Sequence, residues 1–137
     1  MIIDATNLKL GRICTVAAKK ALQGERVEIV NCEKAVVTGS RSDVIAKYER
    51  RAGMGNPHWG PYQPRMADRF IRRTVRGMLP YKTDRGRKAL KRIMCYVGNP
   101  DDKEAVTIEE ADVTKTRTLR YITIGEVCTL LGGKNQQ

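Results

Sequence analysis

A continuous apolar run, Ile93-Met94-Cys95-Tyr96-Val97, ends at the turn signal Gly98-Asn99-Pro100. A strand with one face in water usually alternates apolar and polar residues, whereas a strand covered on both faces is apolar throughout. The run therefore predicts a strand that lies between two covering layers. Such strands are typical of parallel sheets in α/β proteins, where helices supply the cover.

The N-terminal part of the chain predicts a strand followed by a helix. Ile2-Ile3 is a short strand candidate, and apolar residues at 3.6-residue spacing predict a helix that runs to Leu22. Thr6 or Asn7 can cap this helix, and Gly24 stands where a helix commonly ends in a left-handed residue.

Two strands and a second helix are expected next. Val27–Val30 and Ala35–Val37 are apolar strand candidates, and Thr38-Gly39-Ser40 turns the chain into a helix. Ser40 and Asp43 have the spacing of a capping box. A phosphate could also bind at this helix N-terminus, but an ordinary cap is the simpler interpretation.

The C-terminal part predicts an acidic loop, a strand and a helix. We expect Asp101–Asp112 to be a solvated excursion and Tyr121–Ile124 to be the last strand. Thr123 and Glu126 form the T-x-x-E capping box of a terminal helix. Strands and helices thus alternate along the chain, which favours a parallel sheet with helices on both faces.

Length and composition suit one domain over residues 1–137, with 41% hydrophobic residues. No apolar run approaches the roughly 20 residues of a membrane span, and we see no secretory signal, so no membrane contact is expected. Gly11 is a single glycine where a dinucleotide loop needs three. The cysteines are scattered singly, which predicts free thiols and no metal site; they are Cys14, Cys32, Cys95 and Cys128.

Most of the positive charge lies in one segment. From Arg65 to Arg92 the chain has eleven Arg and Lys residues against two acids, Asp68 and Asp84, so this segment carries +9 of the formal net charge of +11. Such a field attracts polyanions, of which nucleic acid is the usual one. A solvated helix surface is the alternative, but the excess is concentrated and poor in compensating acids.

A helix over residues 65–79 would separate this charge from the apolar side chains. At 100° per residue, five arginines fall within an arc of about 100°, opposite the apolar positions. Their mutual repulsion would be relieved by an external anion, and the planar guanidinium matches phosphate oxygens bidentately. The five are Arg65, Arg69, Arg72, Arg73 and Arg76.

A second cationic element follows a break at Leu79-Pro80, because the residue before a proline leaves helical geometry. Asp84 can cap a short helix beyond a polar turn, and the two together carry Lys82, Arg85, Arg87, Lys88, Lys91 and Arg92. The helix-turn-helix outline is also found in duplex DNA readers. A face filled with arginines nevertheless suits phosphate contacts better than base reading.

Residues 53–64 are rich in Gly and Pro and predict a long loop beside the charge. Trp59, His58 and Tyr62 lie close together in it, and aromatic rings flanked by arginines can stack on unpaired RNA bases. Trp59 could equally pack the loop onto the domain. His58 alone makes no case for catalysis.

An enzyme that acts on RNA would need clustered carboxylates, or a base close to a nucleophile. The acids of this chain lie mostly in residues 101–112 and lack apolar framing. We therefore expect no enzymatic activity. A free-standing nucleic-acid-binding protein is a further alternative to a component of a larger ribonucleoprotein particle.

The string from Arg76 to Gly86, RGMLPYKTDRG, continues to Ala89-Leu90 and resembles the signature of the thirteenth large-subunit ribosomal protein family. The likeness is to its archaeal and eukaryotic branch and covers nearly the whole chain. Other segments agree: Asp4-Ala5, Leu10-Gly11-Arg12, Val30-Asn31, Val36-Val37-Thr38-Gly39, Asn56-Pro57, Gly60-Pro61, and Tyr121, Thr123, Gly125 and Glu126. One departure is Gly132-Gly133, where the family often has Gly-Trp.

The resemblance implies a three-layer α/β/α domain around a four-stranded, mainly parallel sheet, with a basic helix-turn-helix insertion at about 53–92. It implies a cytoplasmic structural component of the large ribosomal subunit, placed during assembly, with large-subunit rRNA and neighbouring ribosomal proteins as partners. It implies no catalysis, metal, cofactor or small-molecule substrate. The expected RNA-facing residues are Arg65, Arg69, Arg72, Arg73, Arg76, Lys82, Arg85, Arg87, Lys88 and Lys91, with Trp59, His58, Lys9, Arg12 and Arg41 as further candidates.

Overall fold

The computed structural model describes residues 1–100, 104–115 and 119–133. In these residues the helices are α1 (Leu10–Leu22), α2 (Arg41–Ala52), α3 (Ala67–Met78), α4 (Asp84–Lys91) and α5 (Ile124–Leu130). The strands are β1 (Ile2–Asp4), β2 (Val27–Val30), β3 (Val36–Thr38), β4 (Ile93–Cys95) and β5 (Tyr121–Thr123). Short 3₁₀ turns lie at Cys32–Lys34 and Glu109–Ala111. The α/β class is as predicted.

Three strands form a parallel sheet in the order β1-β2-β4. Ile29 of the central strand pairs with Ile3 on one side and with Cys95 on the other. The prediction of a four-stranded sheet is wrong, because β3 and β5 form a separate antiparallel pair in which Val37 faces Ile122. The 3₁₀ turn at Cys32–Lys34 separates β3 from β2 and starts at a left-handed residue, so the chain leaves the parallel sheet before β3 begins.

The acidic segment is mostly exposed in its described part, as expected, but it is anchored to the fold, so it is not a free excursion. Val106 donates to the Ile2 carbonyl at 2.9 Å and accepts from Asp4 N–H at 3.2 Å, which covers the outer edge of β1. Ala111 and Val113 are buried, whereas Glu109 and Glu110 before them face solvent. Residues 101–103 lie outside the described residues.

The helix ends follow the predicted signals at three positions. Gly24 has a φ of 102° just beyond α1. Ser40 Oγ accepts from Asp43 N–H at 3.4 Å at the start of α2, and Thr123 Oγ1 accepts from Glu126 N–H at 3.3 Å at the start of α5. These bonds satisfy amide donors that the first helical turn leaves free.

The predicted cap of α1 is wrong. The helix starts after Lys9, which makes no side-chain cap bond. Thr6 instead donates its hydroxyl to Asp4 Oδ1 at 2.7 Å, and Asn7 adopts a left-handed φ of 57°. The Thr6 side chain therefore stabilises the turn between β1 and α1, and the helix begins at Leu10, two residues later than a cap at Asn7 would place it.

The core joins elements from both ends of the chain, from Ile3 to Cys128. Helix α3 inserts Phe70, Ile71 and Val75, all almost fully buried. Each buried side chain of this size contributes about 1.5–3 kcal/mol to stability. The burial of these three side chains fixes the orientation of α3, so that its charged residues lie on the opposite side.

The turn between α3 and α4 depends on a close backbone approach at Gly86. A Cβ atom at this position would clash with the Pro80 carbonyl oxygen. Thr83 caps α4 here, since its Oγ1 accepts from Gly86 N–H at 3.3 Å, and the prediction that Asp84 is the cap is wrong. Pro80 and the cap together hold the two helices in one fixed arrangement.

The Gly-Gly pair at the C-terminal end, noted above as a departure, also has a structural reason. Gly133 N–H donates to the Cys128 carbonyl at 2.8 Å, which closes the end of α5. A Cβ at Gly133 would clash with the Arg65 carbonyl oxygen. The segment after α5 thus lies directly against the backbone that leads into α3, and a large side chain does not fit there.

We predict that Gly86→Ala destabilises the protein by about 1–3 kcal/mol, the usual cost of overpacking a site that cannot relax freely. Gly77→Ala is the matched control, because Gly77 lies in α3 with no atom within 4 Å of an added Cβ. That control should gain up to about 1 kcal/mol from helix propensity. Urea unfolding followed by circular dichroism measures both, and equal free energies of unfolding would contradict the role given to Gly86.

Candidate nucleic-acid interface

Helix α3 has an apolar face in the core and a cationic face outside it. Arg69 and Arg76 are exposed, and Arg72 and Arg73 are half-buried. In the described parts of the chain, none of these four forms a salt bridge with a carboxylate. The predicted separation of the arginines from the apolar face of α3 is confirmed for these residues.

Arg65 does not belong to this face. It precedes the first turn of α3, whose N-terminal flanking residue is Met66, so its prediction as a helical residue is wrong. Its exposed side chain lines a separate cavity of about 510 Å³, beside Glu126 and Thr129 of α5. The reason is that Met66 is extended, with a φ of −107° and a ψ of 141°, so the helical projection started two residues too early.

Asp68 is the one acid within α3, and it does not neutralise the arginines. Its Oδ1 atom is buried and has no hydrogen-bond partner among the described residues. Placed in the first turn, the carboxylate instead lies where the helix dipole favours negative charge. The cationic face therefore keeps its full repulsion.

The second cationic element is exposed along one side of α4. Gly86 and Ala89 are buried under it, whereas its cations face solvent; they are Arg85, Arg87, Lys88 and Lys91, with Lys82 in the preceding turn. Arg87 pairs with Asp84 at 3.2 Å, but both side chains are largely exposed and such pairs contribute little. Arg92 points elsewhere, since it donates to the Ala21 carbonyl at 3.5 Å.

A cation–π contact links α3 to the turn that leads into α4. The Arg76 guanidinium carbon lies 5.0 Å from the centre of the Tyr81 ring. This contact and the close approach at Gly86 fix the turn that connects the outward cations of α3 to those of α4. We call these cations together the cationic surface, which comprises Arg69, Arg72, Arg73, Arg76, Lys82, Arg85, Arg87, Lys88 and Lys91.

The loop of residues 53–64 is held in a defined shape. Asn56 accepts from Gly60 N–H at 2.8 Å through its carbonyl and from His58 N–H at 3.0 Å through its side chain. Tyr62 donates its hydroxyl to the Pro57 carbonyl at 2.7 Å, and Arg73 donates to the Tyr62 carbonyl. The last bond ties the loop to α3.

Trp59 stands at the tip of this loop with 88% of its surface exposed. The alternative in which it packs the loop onto the domain is therefore wrong. His58 beside it is also exposed. A large aromatic ring in solvent can accept a stacked base.

The three remaining candidates have different surroundings. Arg12 is exposed on α1, one turn before Thr15, whose hydroxyl lies 3.8 Å from Met78 Sδ, so it lies near the end of α3. Lys9 is half-buried at the start of α1. Arg41 forms an ion pair with Glu126 at 2.7 Å, so part of its charge is compensated within the protein.

Three of the four cysteines, Cys14, Cys32 and Cys128, are buried, and Cys95 is half-buried. Burial raises the pKa of the Cys14 thiol to about 12 and that of Cys128 to about 11, so both are neutral thiols at physiological pH and poor nucleophiles. All four cysteines are free. Across residues 1–100, 104–115 and 119–133 no three His, Cys, Asp or Glu side chains group as metal ligands. No helix in these ranges is long and apolar enough to cross a membrane.

Comparison with known proteins decides the family. A model described as ribosomal protein L13 matches residues 1–102, from β1 to the residues beyond β4, and so includes the whole cationic surface. The chain belongs to the ribosomal protein L13 family.

Three relatives of this family extend the similarity to nearly the full length. The large ribosomal subunit protein uL13 of Methanococcoides burtonii is 46% identical over 136 residues, covering 97% of this chain and 98% of the relative. The uL13 of Methanopyrus kandleri is 43% identical, covering 96% and 86%. That of Halobacterium salinarum is 41% identical, covering 96% and 90%.

Membership of the L13 family confirms the resemblance that the RGMLPYKTDRG string indicated. The family and these relatives are named as ribosomal proteins, which agrees with the expectation that the chain is not an enzyme.

Two cations that lie next to α3 were not among the residues predicted from the sequence. Lys47 and Arg51 of α2 are four residues apart, and this like-charged pair on one helix face was the signal that could have found them.

We predict that Arg73→Ala loosens the loop of residues 53–64, because it removes the bond to the Tyr62 carbonyl. A hydrogen bond from a charged donor contributes about 1.5–3 kcal/mol, so local opening should become at least about tenfold more frequent. Limited chymotrypsin digestion after Trp59 under native conditions measures this. Arg72→Ala removes the same charge from the same helix, and equal cleavage rates in the two variants would contradict the tether.

Proposed function

We propose that the protein is a structural constituent of the large ribosomal subunit and binds large-subunit rRNA through phosphate contacts made by the cationic surface. Binding would help to organise the RNA during assembly, in the cytoplasm and next to other ribosomal proteins. The single observation that carries this proposal is the cationic face of α3, whose arginines have no carboxylate partner in the described residues.

The energetics favour an external anion. Like charges three and four residues apart on a helix destabilise it by a few tenths of a kcal/mol per pair. Arg69, Arg72, Arg73 and Arg76 have this spacing, yet Asp68 is turned inward. RNA phosphates would reverse the sign of the interaction. Arginine is suited to this role because its donors match phosphate oxygens two at a time.

The loop adds a contact of a different kind. Trp59 is exposed and is held by the hydrogen bonds around Asn56, so little ordering is needed before a base stacks on it. Stacking on an aromatic side chain contributes about 1–3 kcal/mol per base. We therefore propose that residues 53–92 form the RNA-binding insertion of a single domain over residues 1–137, with phosphate contacts from the helices and a stacked base at the loop tip.

We predict that binding to deproteinised large-subunit rRNA weakens steeply with salt. If about six phosphates are neutralised, log K should change with log salt concentration by about −4 to −5. Filter binding over a range of potassium chloride concentrations gives this slope. A slope near −1 would mean that the cationic surface is not the main contact.

We predict that the double variant Arg69→Ala, Arg76→Ala binds this RNA at least about tenfold more weakly, with a salt slope shallower by about 2, because each arginine contributes one charge-assisted contact. The free energy of unfolding should fall by no more than about 1 kcal/mol, since both side chains are exposed and the exposed Arg76–Tyr81 contact contributes about 0.5–1 kcal/mol. The control variant Lys19→Ala, Arg26→Ala removes the same charge from exposed positions, one in the last turn of α1 and one just before β2.

The same two double variants separate a ribosomal component from a free-standing RNA-binding protein. The control variant should co-sediment with large subunits through a high-salt gradient, whereas the Arg69, Arg76 variant should be depleted from them. Failure of both the unmodified protein and the control to co-sediment would support the free-standing alternative. Equal RNA binding by the two variants would contradict the role of the cationic surface.

A further inference from the structure

A cleft of about 470 Å³ opens between α2, the loop of residues 53–64 and α3. It adjoins the cationic surface through Arg73, which lines it from α3. Its opposite wall comes from α2, which no part of the functional proposal above includes. The side chains that matter here are Lys47, Tyr48, Arg51, Gln63, Phe70 and Arg73. We call this feature the α2–α3 cleft.

The charges of the cleft are all of one sign. Lys47, Arg51 and Arg73 line it, and no acid is among the lining residues. In the part of the chain that the structure describes, none of these three cations forms a salt bridge with a carboxylate. A partly enclosed site with concentrated charge of one sign raises the local concentration of counter-ions.

An aromatic floor fixes where the cations stand. The Tyr48 ring is 7% exposed and packs on Phe70 with ring centres 4.9 Å apart. Lys47 Nζ lies 5.9 Å and Arg51 Cζ 5.6 Å from the centre of the Tyr48 ring, within the range of cation–π attraction. Burial raises the pKa of Tyr48, so the floor stays uncharged at neutral pH.

The outer wall of the cleft is held in place by the loop tether. Arg73 donates to the Tyr62 carbonyl, and Gln63 follows directly in the wall. A guanidinium carries five N–H donors in a planar fork, so Arg73 can hold the loop and also bind an anion. The cleft is therefore preformed, with cations on two helices and a fixed loop between them.

We propose that the α2–α3 cleft binds a backbone phosphate of the same RNA strand whose base stacks on Trp59, with Lys47, Arg51 and Arg73 as its ligands. This inference rests on the proposed function and extends the RNA contact from α3 to α2. A phosphate fits better than a base, because a stacked base needs an exposed ring and Tyr48 is buried. Continuity with the cationic surface through Arg73 favours RNA over an acidic protein segment.

The test compares salt slopes of binding to deproteinised large-subunit rRNA. The variant Lys47→Gln, Arg51→Gln should give a slope shallower by about 2 than the unmodified protein, and single Lys47→Gln a slope shallower by about 1. The control variant Lys19→Gln, Arg26→Gln loses the same charge at positions that do not line the cleft, and it should leave the slope unchanged. Thermal unfolding checks that each variant is folded, which is expected because all four side chains are exposed.

The possible results of this test distinguish a failure of the cleft proposal from a failure of the proposed function. If the cleft variant matches the Lys19, Arg26 control while Arg69→Ala, Arg76→Ala lowers the slope, the cleft proposal is wrong and the proposed function stands. If no variant changes the slope, both are wrong. Unchanged rRNA binding combined with weaker association with salt-stripped large subunits would assign the cleft to an acidic protein partner and overturn the proposal.

Titration with inorganic phosphate distinguishes an RNA phosphate site from a site for the free anion. Binding is monitored through the amide NMR signals of residues 47–51. Saturable shifts of these signals are expected from an RNA phosphate site as well, so they count only together with the RNA slopes. Saturation by inorganic phosphate with an unchanged RNA slope would mean that the cleft holds free phosphate, which also contradicts the proposal.

Discussion

The burial of one side of α3 is the constraint on which the rest of the structure depends. Phe70, Ile71 and Val75 enter the core between elements from both ends of the chain, and removing them from water stabilises the fold by several kcal/mol in total. The helix cannot rotate without losing this. Its arginines are therefore fixed outward, although their repulsion opposes folding. The protein gives up some stability to keep a surface that an RNA phosphate chain can satisfy.

Sequence reasoning succeeded where a local rule decides the outcome. Helix period, capping spacing and the break at Pro80 depend on neighbours within a few residues, so the five helices of the described residues and the Thr123 cap follow from the chain itself. The division of α3 into two faces follows from its period alone. The family resemblance added large-subunit rRNA as the expected polyanion, which charge could not supply.

Three errors were local. The caps of α1 and α4 were wrong because a polar side chain near a helix end can bond elsewhere, and the start of α3 was wrong because Met66 is extended. The other errors concern contacts between distant residues. The apolar pattern of β3 and β5 indicates strands but not their partners, so their antiparallel pairing was missed. Val106 is anchored by backbone bonds to β1, which composition does not reveal. Arg73 reaches a loop carbonyl eleven residues away. The cleft near Lys47 exists only once α2, the loop and α3 have packed together.

A cryo-electron microscopy map of the large ribosomal subunit from the source cells would test the central claim most directly. We expect the map to show α3 and α4 in contact with rRNA, with the guanidinium groups of Arg69 and Arg76 within about 3 Å of phosphate oxygens. We also expect it to show Trp59 stacked on an unpaired base. A map in which the cationic surface faces solvent, or contacts an acidic protein instead of RNA, would contradict the proposed function.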